Sequence, residues 1–450
     1  MTTLSNEKQT STRPTFVSFH KTEEEEIQTI IQYWIRILNI KLGWIHDFDK
    51  FVVNYVTFFF IYLLTYVQIF LFNLTQATIF IMLDTFRLSS KLIKTFNGHT
   101  DSVYSIDYLT FNNCQFICSG SNDKTVRIWD INTNQQIRLF DEHSSDVYCV
   151  KFSSYHYHII IIIIIVMLFA LHQMTEQFVF GILKIINNYK FKGHTDGICG
   201  IKFSSFNNGR YLCSGSYDNT IRLWDVETFK SLYIFEKHTN PVWCVDISPL
   251  QSNSNNNVGL IGGNGYTICS GSWDKTICIW DIETTKHFIT FKGHTDWIRS
   301  VKYGLNKSII IDYTNIILSG SEDHTVRLWD IRSGEQIQVF NGHTNAVNAV
   351  EYSSFIVNDN KIGCNSNVIC SASWDSTIRF WDIRSNKKEL YMIEGDCKDN
   401  GIFCFNFLQK MNNNSDCGIN LCYGSSEVIS LLSNKFFNTN EEFMFVYTLN

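Results

Sequence analysis

"GHTDSVYSIDYLTFNNCQFICSGSNDKTVRIWDI", residues 98–131, holds the pattern on which the whole chain turns. Apolar residues alternate before a Gly/Ser/Asp turn, and a short β-branched run then ends in Trp-Asp. Alternation of this kind, bounded by turn residues, reads as short antiparallel strands, so the unit is a small sheet. The unit returns as "GHTDGICGIKF…CSGSYDNTIRLWDV" from 193, "KHTNPVWCVDI…CSGSWDKTICIWDI" from 237, "GHTDWIRSVKY…LSGSEDHTVRLWDI" from 293 and "GHTNAVNAVEY…CSASWDSTIRFWDI" from 342, five full copies in all. A repeat period of roughly 40–50 residues dictates stacked units, because one small sheet cannot bury its apolar face alone.

Composition narrows the function. Aromatic residues make up 15% of the 450-residue chain and prolines number only 3, which argues against disorder. With 18% charged residues and a net charge of −6 there is no basic surface for a nucleic-acid backbone. The 14 cysteines, with no basic-then-apolar signal segment at the start, read as free thiols in a reducing compartment. Cys118, Cys213, Cys269 and Cys370 each precede a serine, which marks a repeated buried slot for a small residue. Enzyme motifs are missing: there is no G-x-x-x-x-G-K, no H-E-x-x-H and no paired C-x-x-C. "GGNG" (262–265) sits in an Asn/Ser-rich insertion without a strand-to-helix frame. The expectation is a noncatalytic protein with no cofactor and no metal.

At these residues the sequence resembles the WD-repeat (WD40) family, whose units are the four-stranded blades of a β-propeller. The resemblance covers residues 89–433 and implies a hydrogen-bonded His-Ser-Asp-Trp set in each matching blade. The sets are His99, Ser119, Asp123, Trp129; His194, Ser214, Asp218, Trp224; His238, Ser270, Asp274, Trp280; His294, Ser319, Asp323, Trp329; and His343, Ser371, Asp375, Trp381. A carboxylate bonded to imidazole and backbone pins a tight turn while leaving no buried donor unpaired. A Ser-His-Asp hydrolase is the competing reading, and five copies on a structural period argue against it.

Two pieces complete a ring. "KLIKTF" (91–96) resembles the strand that follows each Trp-Asp, but no Trp-Asp precedes it. The tail offers "GIFCFNF" (401–407), "INLCYGSS" (419–426) and "VISLL" (428–432), three strands of a degenerate blade that 91–96 would close. A repeat also starts at His143 with "EHSSDVYCVKFSS", yet its Ser-Gly-Ser, Asp and Trp-Asp never arrive. The expected fold is therefore all-β: a seven-bladed WD40 β-propeller with one blade degenerate, carrying an N-terminal helical, apolar extension. Its repeats lie near 98–130, 143–190 (degenerate), 193–225, 237–281, 293–330, 342–382 and 394–433 (degenerate), before a tail at 434–450.

In the damaged unit, the uncharged apolar stretch 159–171 falls short of the ~20 residues that a membrane helix needs. A crossing there would also part the blades, so "IIIIIIIVMLF", "FVFGILKI" and "NNYKF" read as substitute strands or a failed blade. A further reading takes 155–190 as translated noncoding sequence, since every isoleucine codon begins with A and T. Residues 51–83 carry no charge and are long enough to span, giving a candidate transmembrane helix at 51–72 within an extension covering 23–88. An apolar helix packed on the propeller is the alternative. The chain is then membrane-associated with its propeller in the cytosol if 51–72 spans, and cytoplasmic otherwise. Residues 1–22 read as a disordered N-terminus, and "TEEEEIQTIIQYWIRILNI" reads as an amphipathic helix with its acids at the amino end.

Partner choice in a repeat protein belongs to the loops. In related propellers the residues three and five after the repeat His, and the one before the turn Asp, point onto one face. Here they are Tyr104, Asp146, Tyr148, Tyr217, Pro241, Trp243, Trp273, Trp297, Arg299, Glu322 and Trp374. Such aromatic side chains bury large area and keep a polar handle, so the resemblance implies a face that binds proteins or peptides. Acidic partners, peptides and modified lysines in an aromatic cage all fit it. The function expected is a noncatalytic interaction scaffold. One alternative is a membrane-tethered scaffold. Another is a substrate receptor of a cullin-RING ubiquitin ligase, because "WDIR" at 329–332 and 381–384 resembles the box that contacts the ligase adaptor, with Arg332 and Arg384 as contacts.

Overall fold

A computed structural model describes residues 29–34, 58–60, 62–63, 91–111, 114–141, 143–153, 167–170, 177–182, 190–248, 266–304, 315–353, 368–384, 389–395, 399–409, 419–426 and 428–433. The chain divides into two units, residues 1–74 and 75–450. In the first, residues 29–34, 58–60 and 62–63 are helical, and Tyr33, Trp34, Phe58 and Tyr62 are more than half exposed.

The second unit is built of β-strands. Strand β1 (Lys91–Asn97) opens it, and the first sheet follows as β2 (Val103–Phe111), β3 (Cys114–Ser121), β4 (Val126–Asp130) and β5 (Gln135–Phe140). The next strands are short: β6 (Val150–Phe152), β7 (Met167–Ala170), β8 (Gln177–Ile182) and β9 (Lys190–Lys192). Then come β10 (Ile198–Phe203), β11 (Tyr211–Ser216), β12 (Thr220–Asp225) and β13 (Lys230–Glu236), followed by β14 (Val242–Ile247), β15 (Thr267–Ser272), β16 (Thr276–Asp281) and β17 (His287–Lys292). Two further sheets comprise β18 (Ile298–Tyr303), β19 (Ile316–Ser321), β20 (Thr325–Asp330), β21 (Glu335–Asn341), and β22 (Val347–Tyr352), β23 (Val368–Ser373), β24 (Thr377–Asp382), β25 (Glu389–Glu394). The last is formed by β26 (Cys404–Gln409), β27 (Ile419–Gly424) and β28 (Val428–Ser433), with β1 as its outer strand through pairs such as Phe96↔Ile429.

Each blade is a meander whose first strand faces a central channel and whose fourth lies outside. The second and third strands are buried on both faces, which suits their β-branched and thiol side chains; β15, Thr267–Ser272, is buried throughout. Trp224, Trp280, Trp329 and Trp381 on the third strands are among the largest fully buried side chains. Each such burial contributes up to roughly 4–6 kcal/mol by area. Neighbouring blades interlock at one point. A Cβ on Gly271 would lie 2.5 Å from Cγ2 of Ile298, the first residue of the next inner strand, so only glycine leaves room for it. The same fit recurs at the closure, where a Cβ on Gly424 would lie 2.9 Å from Cγ1 of Val103.

The expectation of seven blades with a helical, apolar extension is corrected on both counts. The propeller is six-bladed, with sheets begun by β2, β10, β14, β18, β22 and β26. Residues 143–192 give only a narrow sheet, β6–β9, paired over three, four and three positions, where adjacent strands of the blades pair over five or more. The physical reason is in its sequence: without Ser-Gly-Ser, turn Asp and Trp-Asp there is no polar tie to hold a full ladder. Strand β6 nevertheless stands between β2 and β10, and its Val150 N donates to Ser105 Oγ at 3.1 Å. As to the extension, no helix among the described residues is long and apolar enough to cross a membrane. Apart from 58–60 and 62–63, the stretch 51–72 lies outside the described residues, as do residues 1–22 and the tail 434–450.

Candidate functional site

Five turns are built alike. In the blade of β14–β17, His238 Nδ1 donates to Asp274 Oδ2 at 2.7 Å, His238 Nε2 and Ser270 Oγ are hydrogen-bonded at 2.8 Å, and Trp280 Nε1 donates to Ser270 Oγ at 2.8 Å. The other oxygen, Asp274 Oδ1, accepts from the Thr276 amide and hydroxyl two residues on, which bends the chain so that Lys275 sits at φ 68°. A lysine in the left-handed region is strained, and the carboxylate holds it there. The sets at His99, His194, His294 and His343 repeat the His–Asp contact at 2.8 Å. Burial alone would raise these aspartates, yet hydrogen bonds from His and Thr bring Asp274 down to about 2 and the other four lower still. Ser119, Ser214, Ser270, Ser319 and Ser371 are all 0% exposed. A nucleophile must reach substrate; these hydroxyls instead tie tryptophan to histidine.

The turns place the rim. The amide before each tetrad Asp bonds back to the loop feeding the inner strand: Tyr217 to Gly197, Trp273 to Pro241, Glu322 to Trp297 and Trp374 to Ala346. On the inner strands, the ladder register slips at the residue five after the repeat His, a bulge that re-aims Tyr104, Trp243 and Arg299. The side chains meet edge to face or stacked. Phe403, Tyr104 and Tyr148 follow one another at 5.3 and 5.2 Å between ring centroids; Tyr148 meets Trp243 at 5.1 Å. Trp243 stacks on Trp273 at 5.6 Å and Trp273 on Trp297 at 4.1 Å, with Tyr217 edge-on to Trp273. The Arg299 guanidinium lies 4.8 Å from Trp243, 6.0 Å from Trp297 and 5.8 Å from Trp374, held by Glu322. Trp374 meets Phe403 at 6.2 Å, which closes the circle. Asp146 accepts from the Tyr148 hydroxyl at 3.3 Å. Pro241 contributes through its carbonyl.

Below the rim lies a cavity of 420 Å³. Its wall carries Cys149, Cys199, Cys244 and Cys404; burial pushes Cys244 and Cys404 up to about 12, so those two thiols are protonated. Deeper still, neighbouring inner strands pair their charges: Lys151 with Asp107 at 2.9 Å, Lys202 with Asp246 at 3.0 Å, Lys302 with Glu351 at 2.6 Å. The same acids accept strand amides, Phe152 N on Asp107 and Tyr303 N on Asp246. Burial alone would lower Lys302, but Glu351 and Asp246 raise it, so Lys302 keeps its charge. Among the described residues no group of His, Cys, Asp and Glu has the arrangement of a metal site.

Three residues absent from the expected rim line the same cavity: Phe403, which the sequence rule does not reach, and Asn348 and Cys199, which stand five after His343 and His194. The last unit has no repeat His from which to count, although aligning "GIFCFNF" with "PVWCVDI" would have placed Phe403 beside Trp243. Arg332 and Arg384 follow β20 and β24, at the ends away from the tetrad turns, so they do not belong to the rim. Arg384 is exposed and folds onto its own Asp382 at 3.2 Å.

The family model described as "WD domain, G-beta repeat" matches residues 90–130, 186–225, 229–281, 285–330 and 334–382. Among curated proteins the chain is similar to Mitochondrial division protein 1 of Eremothecium gossypii, 26% identical over 46% of this chain and 29% of that protein. It is similar also to Nuclear distribution protein PAC1 of Coccidioides posadasii, 29% identical over 47% and 36%. Cell division control protein 4 of Saccharomyces cerevisiae is 29% identical over 44% and 24%. The chain thus spans about a third or less of the length of these relatives.

Proposed function

Because the chain belongs to the WD40 family, we propose that it is a noncatalytic scaffold that gathers proteins on its aromatic rim. The three relatives bear names from mitochondrial division, nuclear distribution and cell division control, so what unites them is the propeller and not one process. The observation that carries the reading is the closed circle of half-buried rings and Arg299 over an open cavity. Rings of this kind offer large contact area at low conformational cost, which is what interface hot spots require. Catalysis has no foothold in it, since the buried thiols are protonated and the tetrad hydroxyls are sealed from solvent.

The test is affinity purification of the full chain beside Trp243→Ala with Trp273→Ala, after circular dichroism shows the same fold in both. Partners that copurify with the parent and disappear with the double variant support the rim as the docking face. Retention of every partner by the variant would overturn it.

A further inference from the structure

The charge around the cavity mouth is lopsided. Among the described residues, the loops that feed the inner strands and the turns after the second strands carry the five tetrad aspartates, Glu322 and six more: Asp101, Asp141, Asp146, Asp196, Asp296 and Asp399. Against these twelve carboxylates stand Lys124, Lys237 and Lys275 on the same loops and turns, with Arg299 reaching in from β18 and Arg327 pairing with Asp323 at 3.3 Å. The loops and turns at this end of the propeller are thus rich in carboxylate, while the throat beneath it is lined by three Lys–acid pairs.

The rim also shows what its rings accept. Arg299 reaches into it from β18 and lays a guanidinium over Trp243 at 4.8 Å, with the Glu322 carboxylate as counter-charge. Aromatic faces flanked by carboxylate attract cations through the ring quadrupole and by plain Coulomb attraction. The Tyr104–Tyr148–Phe403 side repeats that chemistry beside Asp101 and Asp146, whose charges add to burial in raising the Tyr104 hydroxyl.

We propose that this face takes a basic polypeptide segment, with one lysine or arginine side chain seated on the Tyr104–Tyr148–Phe403 side. The inference rests on the rim being a protein-binding face and adds the sign of its partner. Long-range attraction between opposite charges speeds such an encounter, and salt weakens it.

Fluorescence anisotropy tests this with three labelled synthetic peptides, alternating Gly with Arg, Gly with Glu and Gly with Ser, each titrated with the full chain at low and at physiological ionic strength. The Arg peptide alone is expected to bind, more weakly at higher salt. Tyr148→Ala, which leaves the charge unchanged, is expected to weaken it about tenfold, the loss of a desolvated cation–ring contact. Asp146→Asn, a milder change, covers the case in which Tyr148→Ala unfolds, and should weaken binding several-fold. Binding of the Arg peptide that ignores both variants would be general charge attraction, and would overturn the proposal. If the Glu peptide binds instead and Trp273→Ala abolishes it, the proposed sign is wrong while the rim survives as a docking face. Failure of all three peptides, with partners still captured through Trp243 and Trp273, would likewise sink the basic occupant and spare the face.

Discussion

The blade from 237 to 292 and the segment from 143 to 192 begin alike and end differently. "KHTNPVWCVDI" and "EHSSDVYCVKF" put the same kinds of residue on successive positions: a fully buried valine (Val242, Val147), a rim aromatic (Trp243, Tyr148), a thiol in the cavity wall (Cys244, Cys149) and, three residues after the aromatic, a charged partner for a neighbouring strand (Asp246, Lys151). The first then closes its Ser270–His238–Asp274–Trp280 set and completes a wide sheet. The second carries no such set and makes a narrow one. The inner-strand aromatic and the groups that fix the blade thus reside in different strands. The inner strand and the loop before it carry part of the rim, and the tetrad, which reaches across the second and third strands, holds the blade and the turn that carries the rest. A unit can lose its tetrad and still keep its inner-strand aromatic and thiol, as Tyr148 and Cys149 show.

The largest effect expected from this contrast is at the tetrad tryptophan. Trp280→Ala should cost about 3–5 kcal/mol, read as a fall in the midpoint of urea unfolding, because it empties a fully buried site and removes the donor to Ser270. Next is the hub itself. Ser270→Ala strands both His238 and Trp280, at about 1–3 kcal/mol, and a cycle with His238→Ala should show strong non-additivity. Additive losses would mean that the set is not a unit.

Acid provides a third handle on the complete blades. The tetrad aspartates have folded-state values below the unfolded one near 4. Their contribution is complete above that unfolded value and is lost as pH falls through it toward about 2. Unfolding midpoints measured down this range should drop in the parent and drop less in Asp274→Asn, which starts lower but no longer titrates there. An identical slope in both would separate acid sensitivity from the tetrads. The smallest expected difference is one of rate: amides of β7 and β8 should exchange with deuterium faster than those of β15 and β16, whose ladders are longer. Equal protection, read by mass spectrometry, would show that the narrow sheet needs no tetrad.

These residues also show which parts of the fold could be read in advance. The tetrads were legible because a buried polar set tolerates few residue types, so His, Ser, Asp and Trp recur at fixed places in five units. Most of the rim was legible for a related reason, since a residue counted from the repeat His falls on the bulge. Phe403 was missed where that landmark is absent. The number of blades was misjudged because opening motifs count inner strands, whereas a blade is counted by its finished ladder. Hydropathy at 51–72 measures only how apolar a segment is, and the described residues contain no helix of spanning length.

The fit of Ile298 against Gly271, repeated where Val103 meets Gly424, makes one blade the socket and its neighbour the key. In an open array of repeats the two ends are exposed and fray first. Here the key of the opening blade fills the socket of the closing one, so the array has no terminus to fray. Loosening any one joint must then be felt by the whole circle, as a cut felt by a hoop and not by a rod.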